Sequence, residues 1–297
     1  MGDHAVAADV TVVIPTLGRE LLDGCLQSIA AGTVWPAEVV VVDQSGTDWI
    51  VPWIDRSSRS GLSITHVRSK ETGIAAATNR GLELVRTPIV ATTHDDCRVR
   101  QSWIRTISDR VPIVGEAIVT GRVEPEGSGI VLTIVTSAYL KTYTEPMIDR
   151  DVLFPSNMAF PIRLLDRIGY LDEHPSLRLA GEDNEWAYRA LRAGVPIVYD
   201  PEIVVAHLAW QKRDRLTELY RRYAKGQGSF YGKYVRRGDA FILLRTVRDL
   251  ARAPWLVLRG TIERNAELLA MGKGELTGLP TGLLAGLRNA GNREGRQ

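Results

Sequence analysis

Asp95 and Asp96 follow His94 directly, at the end of the apolar stretch 88–93. Adjacent carboxylates beside an imidazole can hold a hard divalent cation such as Mg2+ or Mn2+, and through it a diphosphate. The same pair can equally form a solvated turn or a helix cap ahead of Trp103. A second acidic pair, Glu182-Asp183, stands at the start of a helical pattern. Carboxylates suit the positive end of a helix dipole, and one of them could also serve as a general base. His207, on an apolar stretch, reads as a core histidine or as a further metal ligand. Asp43 closes another apolar run just before Ser45-Gly46, where a turn-forming residue is common. No G-x-G-x-x-G follows the first apolar run and no G-x-x-x-x-G-K-[ST] occurs, so a glycine cradle for phosphate is disfavoured and a cation favoured.

These residues need a frame that delivers them to one edge. Residues 9–16 and 37–48 are β-branched runs of continuous rather than alternating hydrophobicity, as expected of buried parallel strands. Between them, Leu21, Leu22, Cys25, Leu26 and Ile29 recur at helical spacing, with Gly32 as a stop. The pattern repeats as strand 62–67, helix 73–85 and strand 88–93. A further strand spans 118–125, a short strand turns into a helix at Pro161 within 156–173, a helix covers 181–194, and short strands lead through 195–210 to His207. The apolar run 129–140 fits strand or helix. Successive βα units imply an α/β fold with an open sheet, whose ligands bind beyond the carboxyl ends of the strands. Thr16, Asp43 and Asp95-Asp96 all fall there.

The chain has 297 residues, 44% of them hydrophobic and 24% charged, enough for one large domain with an appended part. The net charge of +2 hides an asymmetry: residues 1–208 carry 19 Lys+Arg against 27 Asp+Glu, a net of −8, and residues 209–297 carry 18 against 8, a net of +10. Beyond residue 211 the chain reads as two or more basic amphipathic helices broken at Pro254, with a frayed end over 288–297. Such a segment is expected to meet something anionic, with Trp255 and Tyr231 near lipid head groups if that partner is a membrane, or else to pack on the acidic remainder of the chain. Nucleic acid is not expected, since no recognised module accompanies the charge. No basic segment followed by an apolar stretch opens the sequence and no run of about 18 apolar residues occurs, so the expected location is the cytoplasm, with peripheral attachment at the inner face of the membrane. Cys25 and Cys97 lack metal-type spacing and read as reduced thiols.

Taken in order, "VVIPTLGR", "VVVVDQSGTD", "TGIAAATNRGLE", "TTHDDCRVRQSW" and "LAGEDNEWAYRALRAG" resemble the motifs of the family 2 glycosyltransferases of the GT-A fold, over about residues 9–210. The resemblance implies a Rossmann-like, mixed but mainly parallel sheet flanked by helices, forming a nucleotide-sugar-binding catalytic domain over 1–210, with a largely helical extension over 211–297. It implies an inverting transfer of a sugar from a nucleoside diphosphate, UDP being the expected carrier, to a hydroxyl of a glycan or lipid-linked acceptor of the cell envelope. Carried over position by position, Asp183 is the general base and Glu182 orients it. Pro15, Thr16, Asp43, Arg80 and Asp95 surround the nucleotide, Ser156 and Asn157 line the sugars, and Asp96 and His207 ligate Mg2+ or Mn2+. Three positions depart from the pattern. His94 stands where an acid is frequent and is a further candidate ligand, Gln44 replaces the second acid after the second strand, and residues 126–157 carry no readable substrate motif. The competing readings are a sugar nucleotidyltransferase, which normally opens with a more glycine-rich loop than "IPTLGRE", and a relative that binds glycans or nucleotides without turnover. Neither the sugar nor the oligomeric state is legible.

Overall fold

The computed structural model describes residues 5–146, 153–178, 180–211 and 213–288. They fall into two compact units: one comprises 5–146, 153–170 and 187–210, the other 171–186 and the chain from 211 onward.

The first unit is built on a mixed sheet. Its strands are β1 (Ala5–Thr16), β2 (Val34–Asp43), β3 (Ile64–Arg68), β4 (Ile89–Thr92), β5 (Cys97–Val99), β6 (Ile118–Glu126), β7 (Lys141–Tyr143), β8 (Met158–Pro161) and β9 (Ile197–Leu208). They are ordered β3-β2-β1-β4-β8-β6-β9-β5, with β7 on β9. β3, β2, β1 and β4 are mutually parallel, as the continuous apolar runs require. β8 then runs antiparallel to both β4 and β6. Residues 195–210, expected as short strands, form the single long strand β9, parallel to β6 and antiparallel to β5 and β7. The helices are α1 (Leu21–Ala30), α2 (Val51–Arg59), α3 (Ile74–Leu82), α4 (Trp103–Val114) and α5 (Leu165–Ile168). α1 turns Leu22, Cys25, Leu26 and Ile29 inward, and α4 turns Trp103, Ile104, Ile107 and Val111 inward. With β1 and β2 these side chains make one apolar core, which fixes the strand ends that carry the polar residues.

The run 129–140 is neither strand nor helix. Apart from isolated bridge positions at Ile130 and at Val135, the latter paired with Val123, it is irregular, and Ile134, Tyr139 and Leu140 remain exposed. It is tied down at points along β9 and its end, where Tyr199 donates its hydroxyl to the Ser137 carbonyl at 2.7 Å and Gly129 N–H bonds the Ala209 carbonyl at 3.1 Å.

α6 (Glu182–Arg192) begins in the second unit, which also holds α7 (Leu216–Arg236), α8 (Ala240–Ile262) and α9 (Ala266–Arg288). α7 and α9 pack backbone to backbone: a Cβ on Gly282 would stand 1.9 Å from the Lys225 carbonyl oxygen. The break expected at Pro254 does not occur. Proline costs an interior helix about 3 kcal/mol, but here it lies on the exposed side while Asp249, Ala253, Leu256 and Gly260 are buried on the other; packing overrides propensity. Tyr231, placed by the sequence reading near head groups, is buried instead. The expected frayed end over 288–297 lies, beyond Arg288, outside the described residues.

Candidate functional site

The carboxyl edge of the parallel strands gathers most of the polar residues singled out in the sequence. Thr16 and Asp43 are paired neighbours at the ends of β1 and β2. β4 stops at Thr92, and the chain leaves the core through Thr93 and His94 to Asp95 and Asp96 before β5 pairs Cys97 with His207 on β9. The strand order thus brings residues 80 to 190 positions apart in the chain onto one edge.

Asp96 is the hub. One carboxylate oxygen, Oδ2, accepts from Arg19 Nη1 at 2.7 Å and from the Trp210 indole N–H at 2.9 Å; the other, Oδ1, lies 3.5 Å from His207 Nε2. Asp95 accepts from the Thr16 hydroxyl at 2.7 Å and from Arg19 Nη1 at 3.1 Å. Arg19 also lies over the Trp210 ring, 4.9 Å from its centroid. Gly18, with φ +79°, makes the turn that returns its N–H to the Thr16 hydroxyl and presents Arg19 to both aspartates. Burial opposes ionisation of Asp96, but the hydrogen bond and charge of His207, with the charge of Arg19, hold its carboxyl well below the usual range. Burial pushes Asp95 the other way, against the pull of Arg19.

Asp96, Cys97 and His207 each offer a ligand atom, all within 4.8 Å of one another. Burial pushes the Cys97 thiol well above its ordinary value, and a protonated thiol is a poor donor to a hard cation. A carboxylate and an imidazole remain, a donor set that fits a divalent cation with positions left for phosphate oxygens and water. Thr133 Oγ1, from the irregular run after β6, pairs with His207 Nδ1 at 3.0 Å and so leaves Nε2 facing Asp96. His94 does not join this group. Burial brings its pKa down to about 4, so the ring is neutral, and its enclosed Nε2 has no hydrogen-bond partner among the described residues.

The other nucleotide candidates divide. Pro15 is buried beside Thr16. Asp43 is buried, accepting from Ser45 N–H at 2.8 Å and lying 3.2 Å from His66 Nε2, so one of its oxygens does form the turn. Gln44 donates to the carbonyls of Glu71 and Gly73, at 2.6 and 3.0 Å, and holds the start of α3. Arg80, expected around base and ribose, lies on the exposed side of α3 with its guanidinium on Glu83 at 2.9 Å. The cation at the aspartates is Arg19, which the sequence reading passed over although it ends the first motif. Ser156 and Asn157 are both buried. Asn157 spends its amide on the fold, donating to the carbonyls of Arg122 and Ile203 at 2.9 Å each and accepting from the Trp103 indole at 2.9 Å. It ties β6, β9 and α4 together rather than facing a ligand.

The acidic turn of α6 belongs to the second unit. Gly181, with φ +91°, abuts α7 so closely that a Cβ on Gly226 would stand 2.0 Å from the Ala180 carbonyl oxygen. α7 then grips the first turn of α6. Glu185 accepts from Lys233 Nζ and the Tyr234 hydroxyl, both at 2.8 Å. Asn184 donates to Gln227 at 2.7 Å, Gln227 to the Tyr231 hydroxyl at 2.9 Å, and Tyr231 to Asp249 of α8 at 2.5 Å. Glu182 is buried, and its Oε2 has no hydrogen-bond partner among the described residues. Burial, and next the charge of Asp183, push its carboxyl well above the ordinary range. Asp183 is only partly buried, and one of its oxygens accepts from Asn184 N–H at 2.8 Å. Buried beside a second carboxyl, Glu182 is thus held towards its protonated form.

Residues 11–163, more than half of the chain, match the model of the glycosyl transferase family 2. No curated protein sequence matches the chain. Among solved structures, the mannosyltransferase PcManGT from Pyrobaculum calidifontis in complex with GDP-Man and Mn2+ is 17% identical, covers 93% of this chain and 87% of its own, and superposes with a TM-score of 0.64. TarS 1-349 from S. aureus is 15% identical over 90% of each chain, with a TM-score of 0.55. Its complex with UDP-GlcNAc is 13% identical over 90% of each chain, with a TM-score of 0.56. The chain belongs to glycosyl transferase family 2, a transferase with the GT-A fold and a C-terminal helical region.

Proposed function

We propose that this family 2 glycosyltransferase moves a sugar from a nucleoside diphosphate, UDP being the carrier we favour, to a hydroxyl of a glycan or lipid-linked acceptor, with inversion at the anomeric carbon. We assign residues 1–210 to the nucleotide-sugar-binding catalytic domain and 211–297 to an extension that braces the acidic turn of α6 and meets an anionic membrane surface at the cytoplasmic face. The observation that carries the reading is the Asp96–His207 pair, 3.5 Å apart at the carboxyl edge of the sheet, with Arg19 as a fixed cation on the same carboxylate. Solved structures of similar fold with GDP-Man and Mn2+ or with UDP-GlcNAc support it.

Each residue then has a task. Asp183, ionised beside a protonated Glu182, takes the proton from the acceptor hydroxyl as that oxygen attacks the anomeric carbon; a positioned base contributes roughly 10²–10⁴-fold. No second carboxylate is assigned as nucleophile, so displacement is direct and the configuration inverts. Asp96 and His207 would hold Mg2+ or Mn2+, which when bound neutralises charge building on the leaving diphosphate. Arg19 adds a preorganised positive charge at the same place, where low dielectric strengthens it. Asp95, held by Thr16, faces the ribose side, and Asp43 the base. His94, whose enclosed Nε2 has no hydrogen-bond partner among the described residues, is given no ligand role in this reading.

The test is thermal stabilisation by a panel of nucleoside diphosphates and their sugars, with and without Mn2+. One nucleoside diphosphate is expected to raise the melting temperature only with the cation, and Asp96→Ala to abolish that dependence. Stabilisation that ignores both cation and Asp96 would sink the site assignment.

A further inference from the structure

α8 divides its surface in a way that core packing does not explain. Leu243, Leu244, Val247, Trp255, Leu258 and Ile262 are 50, 57, 57, 51, 60 and 72% exposed. At the α-helical angular step they fall within about 120° of the helix circumference, together with the exposed Ala251 and Pro254. The opposite face is buried, through Ile242, Thr246, Asp249, Ala253, Leu256 and Gly260. Single exposed leucines are ordinary, but an aligned apolar strip of this length marks a surface that meets something.

Charge says what. One border of the strip carries Arg248, Arg252 and Arg259, and α8 as a whole has four arginines against the single Asp249. Their partners are Asp249 for Arg248, Glu275 for Arg252 and Glu263 for Arg259. The Arg259 guanidinium lies over the Trp255 ring at 5.2 Å, an indole and a cation side by side at the edge of an apolar face, the arrangement suited to the head-group level of a bilayer. The surrounding chain from residue 209 is net +10. No helix among the described residues is long and apolar enough to cross a membrane. We propose that α8 lies flat on an anionic lipid surface, its Leu243–Ile262 strip inserted among the acyl chains and its arginine border on the phosphates. This rests on the reading that the C-terminal extension meets a membrane, and narrows it to one face of one helix.

The test is co-sedimentation of the full chain with phosphatidylcholine vesicles with or without phosphatidylglycerol, in the absence of any donor. Wild type is expected to bind the phosphatidylglycerol vesicles, about tenfold more weakly without the anionic lipid. Leu244→Gln/Leu258→Gln is expected to bind them about tenfold more weakly, whereas Ile113→Gln, at a still more exposed apolar residue on α4, binds as wild type. Both variants should keep the wild-type melting temperature and its rise with a nucleoside diphosphate and Mn2+, measured without vesicles, so that the membrane reading and the transferase reading fail separately. Wild type that ignores anionic vesicles at low salt, or a Leu244→Gln/Leu258→Gln variant that binds them normally, overturns the proposal. A wild-type dimer in sedimentation velocity that this double variant dissociates would give the face to a second copy instead.

Discussion

Two of the chain's acidic pairs, Asp95-Asp96 and Glu182-Asp183, each hold one carboxyl that its surroundings set apart, and they push Asp96 and Glu182 in opposite directions. At the strand edge Asp96 is buried, yet His207 and Arg19 hold its carboxyl low and keep it ionised. In the first turn of α6, burial and the charge of Asp183 drive Glu182 high. The strand-edge pair has Arg19 and His207 beside it, whereas Glu182 Oε2 has no hydrogen-bond partner among the described residues. A carboxylate kept charged suits the task of meeting a cation and a diphosphate, and a pair with one proton between them suits proton transfer. The two pairs differ in chemistry because their neighbours differ, although all four residues are carboxylic acids.

The strongest way to break this contrast is Asp183→Asn. Turnover is expected to fall by roughly 10²–10⁴-fold, with stabilisation by donor and Mn2+ unchanged in a thermal shift assay. Normal turnover would remove Asp183 as the base. His207→Ala tests the other pair: the Mn2+ concentration for half-maximal stabilisation by the nucleotide should rise by at least about tenfold, and Thr133→Val, which frees the His207 ring, should produce a smaller shift of the same sign. Between these in energy lies the brace of the α6 turn. Tyr231→Phe deletes the donor to buried Asp249 and the acceptor of Gln227, and should cost about 1–3 kcal/mol of stability in denaturant unfolding. An unchanged midpoint would show that the relay to Asn184 carries no load.

The parallel strands were readable because β-branched apolar runs ending in polar residues leave few alternatives, and α1 because Leu22, Cys25, Leu26 and Ile29 recur at helical spacing. The strand exits therefore put Thr16, Asp43, Asp95 and Asp96 on one edge from the sequence pattern alone. Side-chain direction was not readable in the same way. Asn157 and Arg80 sit inside recognisable motifs, yet one is spent on backbone carbonyls and the other on Glu83, because motif position does not say which way a side chain points. Arg19 and Trp210 meet at Asp96 from 191 positions apart, a long-range pairing with no local signal. Composition alone also misled at residues 129–140, whose apolar side chains stay partly exposed, and at Pro254, whose helix continues.

The finest test compares the two pairs by their pH dependence in metal-free protein. Glu182 has a folded-state pKa above its unfolded value of 4.5, so the native state holds the proton more tightly than the unfolded chain. Its contribution to stability is complete below about pH 4.5 and is lost as pH rises through the elevated pKa. Glutamine has no proton to lose. Glu182→Gln should therefore melt with wild type at acidic pH and above it at increasing pH. Asp96 behaves in the opposite sense: its folded-state pKa lies below the unfolded 3.8, so its ionised form stabilises the native state above that pH and the benefit fades as the solution is acidified. Asp96→Asn should melt below wild type at neutral pH, with the gap closing towards strong acid. Melting curves of both variants across the acid-to-neutral range thus diverge from wild type in opposite directions. Parallel curves would mean that the surroundings of the two pairs are electrostatically alike, and the division of labour between cation binding and proton transfer would lose its physical basis.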